Sequence, residues 1–515
     1  MENSKPVVGV IANLFVEQFL EREYEVVQIS NENILESLSE NKITKLFIEM
    51  GIFEEDHDWF NRSLADLEVI TNYLNIDVCL FKYEDSENSY FPNAKEIIIT
   101  DSMVGSSLQS QLSIPFLIDE RIHNPKNSTN EIDILFLQDK NSTIRSEFVA
   151  ISKMKKYNTN TIMLSDISRV SLTNLITKLK SVKILYINDP NELPIQLLKY
   201  VTLVATLSNT IVIEKGSSIC EFSLEDNGDE DIIYLTQALI ENRLFFDKTI
   251  ISKTRKAFNM NSLIMFDEYP LNSINNLSIK KNVGISVLIA TKRKEFIEKF
   301  IEQINKQLCV DVQIILITHG FSLEKTEYKK LNSLTDFSIS FVECSDDMSF
   351  GNCLNKGMEM IEHDYVIKMD DDDYYYPNFI IDIYHGLEYS QDVLVGKNAF
   401  FFYLEQFNLV GQRRMTKQYK HVTEVKGNTL MCRTETMKKY GYGDLSKHVD
   451  SDFIQRLKDD GGKVYSIHPY DMCVYRASDK SGHTYQVDDS RFLRDANVLY
   501  YGIPNKTISS DTILS

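Results

Sequence analysis

Two frameworks that often carry a protein's chemistry are missing from this chain. Its seven cysteines, Cys79, Cys220, Cys309, Cys344, Cys353, Cys432 and Cys473, are scattered, odd in number and include no Cys-x-x-Cys pair. That argues against a disulfide framework or a cysteine-based zinc site and fits reduced thiols in a cytosolic protein. A basic excess is missing too: 55 Lys and Arg stand against 75 Asp and Glu, a net charge of −20. Broad nucleic-acid binding needs a basic footprint that displaces counterions from phosphates, so no nucleic-acid partner is expected. A local basic pocket for a small phosphorylated ligand stays open. No run approaches the ~20 apolar residues of a membrane span, so no integral membrane segment is expected. The opening "MENSKPVVGVIANLF" lacks a basic stretch leading into a long apolar one and a small-residue cleavage site. The expectation is a cytoplasmic protein, with peripheral work at the inner membrane surface left open. No short repeat is visible, which argues against a solenoid or propeller.

What is present is a soluble globular composition, 43% hydrophobic and 25% charged over 515 residues, enough for two or three domains. The first half alternates β-branched runs ("PVVGVIAN", "EVVQIS", "KLFIEM", "DVCLFKY", "EIIITD") with amphipathic segments such as "NILESLSENK" and "WFNRSLADLEVITNYLN". Such alternation predicts parallel strands with crossover helices. A polar stretch, "RIHNPKNSTNE" at 121–131, is read as a hinge, after which "IDILFLQD", "TIMLSD", "VKILYIND" and "TIVIEK" resume the pattern. The division expected is a Rossmann-like lobe over 1–128, a second α/β lobe over 129–265, a polar linker over 266–282, a further α/β domain over 283–498 and a tail over 499–515.

The densest chemical signal is "YVIKMDDDDYYYP", residues 365–377. A buried-looking strand ends in four aspartates, Asp370 to Asp373. Ligands of open α/β sheets bind at that edge. Adjacent carboxylates repel unless a counter-charge joins them, and Mg²⁺ typically takes one or two carboxylates plus ligand phosphates. A solvated turn is the competing reading, and an EF-hand is the poorer fit because the mid-loop Gly and terminal Glu are lacking. Farther on, "KHVDSDFIQRL" (447–457) puts Asp450 and Asp452 at the start of an amphipathic helix, where acids also simply favour the helix dipole. In "YRASDKSGHTY", His483 is either a surface histidine or a metal ligand.

The order of these elements, strand "SVLIAT", "GNCLNKG", strand "YVIKM", the aspartates, then the acidic helix start, resembles the GT-A nucleotide-sugar glycosyltransferases of glycosyl transferase family 2 over roughly 284–490. The resemblance implies a C-terminal GT-A domain, a Rossmann-like mixed sheet, preceded by one or two Rossmann-like lobes. It implies an Asp-x-Asp motif at Asp370-Asp371-Asp372, with Asp370 on the ribose or a metal-bound water, Asp371 on the donor side and Asp372 ligating Mn²⁺ or Mg²⁺. His483 is a further metal ligand on this reading. Thr291, Arg293, Asn352 and Lys356 fall where the family meets the nucleotide, and Gly427 and Asn428 at the acceptor side. The segment "VDSDFIQRL" resembles the family's base-bearing helix; Val449 stands where Glu is common, so Asp450 and Asp452 are rivals for the base. "IILITHG" departs from the family, with Thr318, His319 and Gly320 where Asp is usual, which leaves the donor base undecided. The implied activity is inverting transfer from a nucleotide-sugar donor, UDP-sugar favoured, to a glycan or other surface-polymer acceptor; oligomerisation stays open. The alternative is a catalytically inactive glycosyltransferase-fold scaffold or carbohydrate-binding protein. The N-terminal half resembles, more distantly, the C-terminal lobe of GT-B-type spore-maturation proteins. It has neither a Glu-rich nucleotide signature nor a Gly-rich phosphate loop.

Overall fold

The computed structural model describes residues 5–11, 14–29, 34–49, 64–83, 94–100, 111–115, 118–139, 142–144, 146–154, 156–163, 169–193, 195–216, 221–228, 230–262, 282–478 and 489–511. The chain divides into two compact units, Met1–Lys280 and Lys281–Ser515.

The first unit contains two all-parallel sheets. One has six strands in the order Glu25–Gln28, Val7–Ile11, Lys45–Glu49, Asp77–Tyr83, Lys95–Thr100 and Gln111–Pro115. The other has five, in the order Leu224–Asp226, Ile211–Lys215, Val182–Ile187, Ile132–Gln138 and Thr159–Met163. Both follow from β-branched runs separated by crossover helices such as Ile34–Glu40 and Ile195–Leu207. The polar stretch 121–131 follows a buried segment joining the two sheets. Glu120 is fully buried and takes Arg22 at 2.9 Å and the Ser262 hydroxyl at 2.8 Å. His123, also buried, meets Gln18 at 2.9 Å, and burial pushes its imidazole down to about 4. Glu120 is thereby partnered, as a buried charge must be, while His123 bonds through one ring nitrogen only.

The second unit is built on an eight-stranded mixed sheet. Its order is Ser338–Cys344, Val310–His319, Val283–Thr291, Tyr365–Lys368, Leu430–Arg433, Leu394–Gly396, Val464–Ser466 and Lys420–Val422. The first four strands are parallel, and Leu430–Arg433 runs antiparallel to Tyr365–Lys368. Ile285, Val287, Ile289, Ile315, Ile317, Val366 and Ile367 are all buried, as expected of strands covered on both faces. Helix Phe350–Met358 lies so close to its neighbours that a β-carbon on Gly351 would come within 1.8 Å of the Gly443 carbonyl. A second sheet, in the order Tyr374–Tyr375, Met472–Arg476, Phe400–Leu404, Leu409–Arg413 and Ala496–Tyr501, completes the unit.

Residues expected to form a tail beyond 498 are instead part of this packing. Ala496–Tyr501 is the edge strand paired with Leu409–Arg413, and Ile508 and Ser510 are fully buried. The Asp471 amide donates to the Ile508 carbonyl at 3.0 Å, and the Ser510 amide donates to the Asp471 carboxylate at 3.0 Å. "NKTISSD" has no apolar period, so one buried isoleucine and two well-placed serines escape a pattern search. The six described cysteines are free thiols.

Candidate functional site

Three parallel strands end together in Thr291, His319 and Lys368, and the aspartate run begins two residues after Lys368. This is the carboxyl edge at which ligands of such sheets bind. The four aspartates are neither equivalent nor generally solvated: Asp371 is 3%, Asp372 8% and Asp373 3% exposed. The side chain of Asp370 is 43% exposed.

Each carboxylate has hydrogen-bond partners, some of them shared. Arg293 spans two of them: its guanidinium bonds Asp371 twice, one contact at 3.2 Å, and Asp372 at 2.8 Å. The Thr291 hydroxyl also donates to Asp371. Burial pushes the Asp371 carboxyl up, and Arg293 only partly offsets it. Asp373 turns inward, accepting from the Tyr475 amide at 2.8 Å and from the Asn428 side chain. Burial, then repulsion from Asp372 and Asp370, holds it well above the usual carboxylate range.

Asp370 is tied to the later acidic helix, Val449–Asp459, through one lysine. Lys368 is 2% exposed, and its ammonium donates to Asp370 at 2.9 Å, to Asp450 at 3.2 Å and to the Gly427 carbonyl at 3.3 Å. Burial alone would discharge this lysine, but attraction to Asp370 and Asp450 overrides burial and raises its pKa. Asp450 carries the opposite balance. Burial raises its carboxyl, Lys368 lowers it, Asp370 raises it again, and the net lies above the ordinary value. Its Oδ1 is buried with no hydrogen-bond partner among the described residues. A buried carboxylate oxygen in that state is poised to accept a proton or a donor from a ligand.

Gly427 makes the arrangement sterically feasible, since a β-carbon there would lie 2.0 Å from the Asp450 Oδ2. Asp452, one turn-position away, belongs to a different network: it accepts from Arg456 at 2.8 and 3.0 Å. Arg456 in turn donates to the carbonyls of Tyr440 and Gly441, tying down the end of helix Thr434–Tyr440. The structure therefore brings together Thr291, Arg293, Asp370, Asp371, Asp372 and Asp450, and turns Asp452 elsewhere.

Two other expected contacts lie on helix Phe350–Met358, where Asn352 donates to Asp444 at 2.9 Å and Lys356 to the Glu343 carbonyl at 2.7 Å. His483 lies outside the described residues. Lys368 and Gln303 are residues that strand and helix patterns pass over. Lys368 reads as one more strand position in "YVIKM". Gln303 accepts from the Tyr375 amide at 2.8 Å and donates to the Asp373 carbonyl at 3.2 Å, fixing the backbone just past the acids. A charge inside an apolar strand end was the available signal for Lys368.

Among the described residues no group of three or more His, Cys, Asp or Glu is arranged to hold a metal. Mg²⁺ bound with phosphates typically takes only one or two carboxylates and completes its shell with ligand oxygens, so a set of three is not required of such a site.

The second unit is thus a mixed α/β sheet with acids gathered at the carboxyl edge of its parallel strands. Residues 286–444 match the family model of glycosyl transferase family 2. Similar solved structures include TarS residues 1–349 from S. aureus in complex with UDP-GlcNAc, at 16% identity and a TM-score of 0.32, covering 41% of this chain and 63% of that one. Another is the mannosyltransferase PcManGT from Pyrobaculum calidifontis in complex with GDP-Man and Mn²⁺, at 14% identity and a TM-score of 0.32, covering 39% and 58%. The chain thus spans about six tenths of the length of these structures. No curated protein matches it. Among the described residues no helix is long and apolar enough to cross a membrane.

Proposed function

We propose that the second unit is a metal-dependent, inverting glycosyltransferase that moves a sugar from a nucleoside-diphosphate donor to a hydroxyl of a glycan or other polymer acceptor. The observation that carries this reading is Asp450. It has a raised carboxyl, a buried Oδ1 without a partner and a lysine link to Asp370 at the strand edge. A base must be ionised at working pH yet basic enough to take a proton, and a raised pKa moves a carboxylate toward that compromise. Asp450 removes the acceptor proton on this reading, and Lys368 keeps it anionic and fixed in direction.

Asp370 and Asp372 would hold Mg²⁺ or Mn²⁺ together with the donor's phosphates, and that ion would act as a Lewis acid for the departing diphosphate. Arg293, anchored on Asp371 and Asp372, keeps these carboxylates from repelling one another while the site is empty of ligand. Thr291 orients Asp371. UDP-sugars are the favoured donors, with GDP- and dTDP-sugars as the competitors.

The test is turnover of UDP-, GDP- and dTDP-sugars with Mn²⁺, in wild type, Asp450→Asn and Asp372→Ala. Turnover with at least one donor, lost by ~10²-fold or more in Asp450→Asn, is the expected result. No turnover with any donor, together with unchanged nucleotide binding after chelation of the metal, would favour the inactive scaffold instead.

A further inference from the structure

Tyr442 is a buried side chain that the transfer reaction above does not use. The segment that carries it lies along helix Val449–Asp459. Arg456 donates to the carbonyls of Tyr440 and Gly441, and a β-carbon on Gly443 would lie 2.8 Å from the Asp452 Oδ2. Between these contacts the Tyr442 ring packs on that of Phe453, with ring centres 5.3 Å apart. Phe453 is three positions beyond Asp450, the spacing that sets two side chains together on one helix face. Helix Phe350–Met358 fixes Tyr442 from another side, since Asn355 accepts from its amide at 2.7 Å and donates to its carbonyl at 2.8 Å. The same core cluster takes in Leu430, Cys432 and Val449, and Leu430 stands opposite Lys368 in the sheet ladder. Tyr442 therefore packs between the strands around Lys368 and the helix that carries Asp450.

The hydroxyl is what this core position does not need. Tyr442 is 4% exposed, and its hydroxyl is buried with no hydrogen-bond partner among the described residues. Phenylalanine would fill the same space without an unpaired buried donor, which is costly. The Asp450 Oδ1 is the complementary case, a buried acceptor in the same state, while its Oδ2 takes Lys368 at 3.2 Å. Burial, then Asp450, Cys432 and Asp370, hold the phenol well above its usual range, so it keeps a proton to donate. One water can accept from a phenol and donate to a carboxylate, and a carboxylate oxygen has a second lone pair left over.

We propose that Tyr442 is a positioning residue for Asp450, its phenol holding Oδ1 through one bridging water as Lys368 holds Oδ2. This rests on the transferase reading above, which it deepens by fixing the proposed base from two sides. Lys368 grips the carboxylate at the strand edge, and Tyr442 grips it from the core. The remaining lone pair of Oδ1 is then aimed at the acceptor hydroxyl, whose proton it takes.

The test uses the full chain and Tyr442→Phe, which removes the hydroxyl and keeps the ring. Urea-unfolding midpoints are compared for wild type, Tyr442→Phe, Asp450→Ala and the double variant. Tyr442→Phe is expected to lower the midpoint when Asp450 is present. Combined with Asp450→Ala it should leave the midpoint unchanged or raise it, because the hydroxyl then has nothing to hold. An equal effect in both backgrounds overturns the proposal. Asp450→Asn replaces Asp450→Ala if the latter does not fold, with a smaller midpoint loss expected there than in wild type. Where a donor turns over, Tyr442→Phe should lower kcat about tenfold with KM for donor and acceptor unchanged, as befits one lost hydrogen bond at the base. An unchanged kcat, or a loss confined to KM, overturns it as well. No donor turnover in wild type, with the background-dependent midpoint intact, would instead sink the transferase reading and leave the Tyr442–Asp450 link standing.

Discussion

Lys368→Met removes the cation that, among the described residues, joins Asp370 to Asp450. Its ammonium sits 2.9 Å from Asp370 and 3.2 Å from Asp450. With an effective dielectric of about 20, each contact is worth about 5 kcal/mol before solvent is considered. The side chains of Asp450 and Asp370 are 26% and 43% exposed, so water takes up much of that when the lysine is removed. A residual of ~1.4–3 kcal/mol at Asp450 corresponds to one or two pK units upward. With Asp450 as the proposed base, the rate would rise with pH through the Asp450 pKa. Losing the cation therefore moves the acid limb of kcat/KM to higher pH by about one to two units. Stability has its own sign. Carboxylates whose folded pKa lies above the unfolded value hold protons that unfolding releases, so stability is lost as pH climbs from the unfolded through the folded pKa. Lys368→Met should consequently cost more at pH 7, about 3 kcal/mol by urea unfolding, than at pH 4. An acid limb that stays in place, with equal losses of stability at the two pH values, would refute the claim that Lys368 governs Asp450.

Asp452→Asn is expected to leave the pH–rate profile unchanged and to cost about 1 kcal/mol or less of stability, since it loosens only the half-exposed Arg456 link. Gly427→Ala should lower turnover as severely as Asp450→Asn while largely sparing nucleotide binding, because the new methyl displaces the Asp450 carboxylate; equal kcat in Gly427→Ala and wild type would remove Asp450 from the proposed position. Truncation after Gly502 should cost ~3–5 kcal/mol in urea unfolding, the sum of burying Ile508 and of the buried bonds to Asp471. A truncated chain as stable as the full one would return these residues to the status of a tail.

The parallel strands and the acidic edge were legible because each is a local pattern. "VGISVLIAT", "VQIILITHG" and "YVIKM" are mostly apolar runs, as strands covered on both faces tend to be, and the aspartates follow the last of them without a break. The helix at Val449–Asp459 declared itself by Phe453, Ile454 and Leu457 on one face. From those elements the edge of the sheet, and the acids near it, follow by geometry alone.

The pairing of charges within the site was not legible, and the reason is the range of the interaction. Asp450 and Asp452 are two residues apart on a helix, a spacing that points them in different directions, but helix period does not say which direction faces Lys368. That is decided by Gly427, which yields its side-chain volume to Asp450, and by Arg456, which takes Asp452 to the carbonyls at 440 and 441. Arg293 reaches Asp371 and Asp372 from nearly eighty residues away. A run of like charges in a sequence therefore poses a question of counter-charge that only tertiary structure answers. Here protein cations answer it for Asp370, Asp371 and Asp372, while Asp373 is held by an amide and an asparagine. A divalent ion entering with a diphosphate would have to compete with Arg293 and Lys368, and that competition offers a physical basis for coupling metal binding to the arrival of the donor rather than to the apo site.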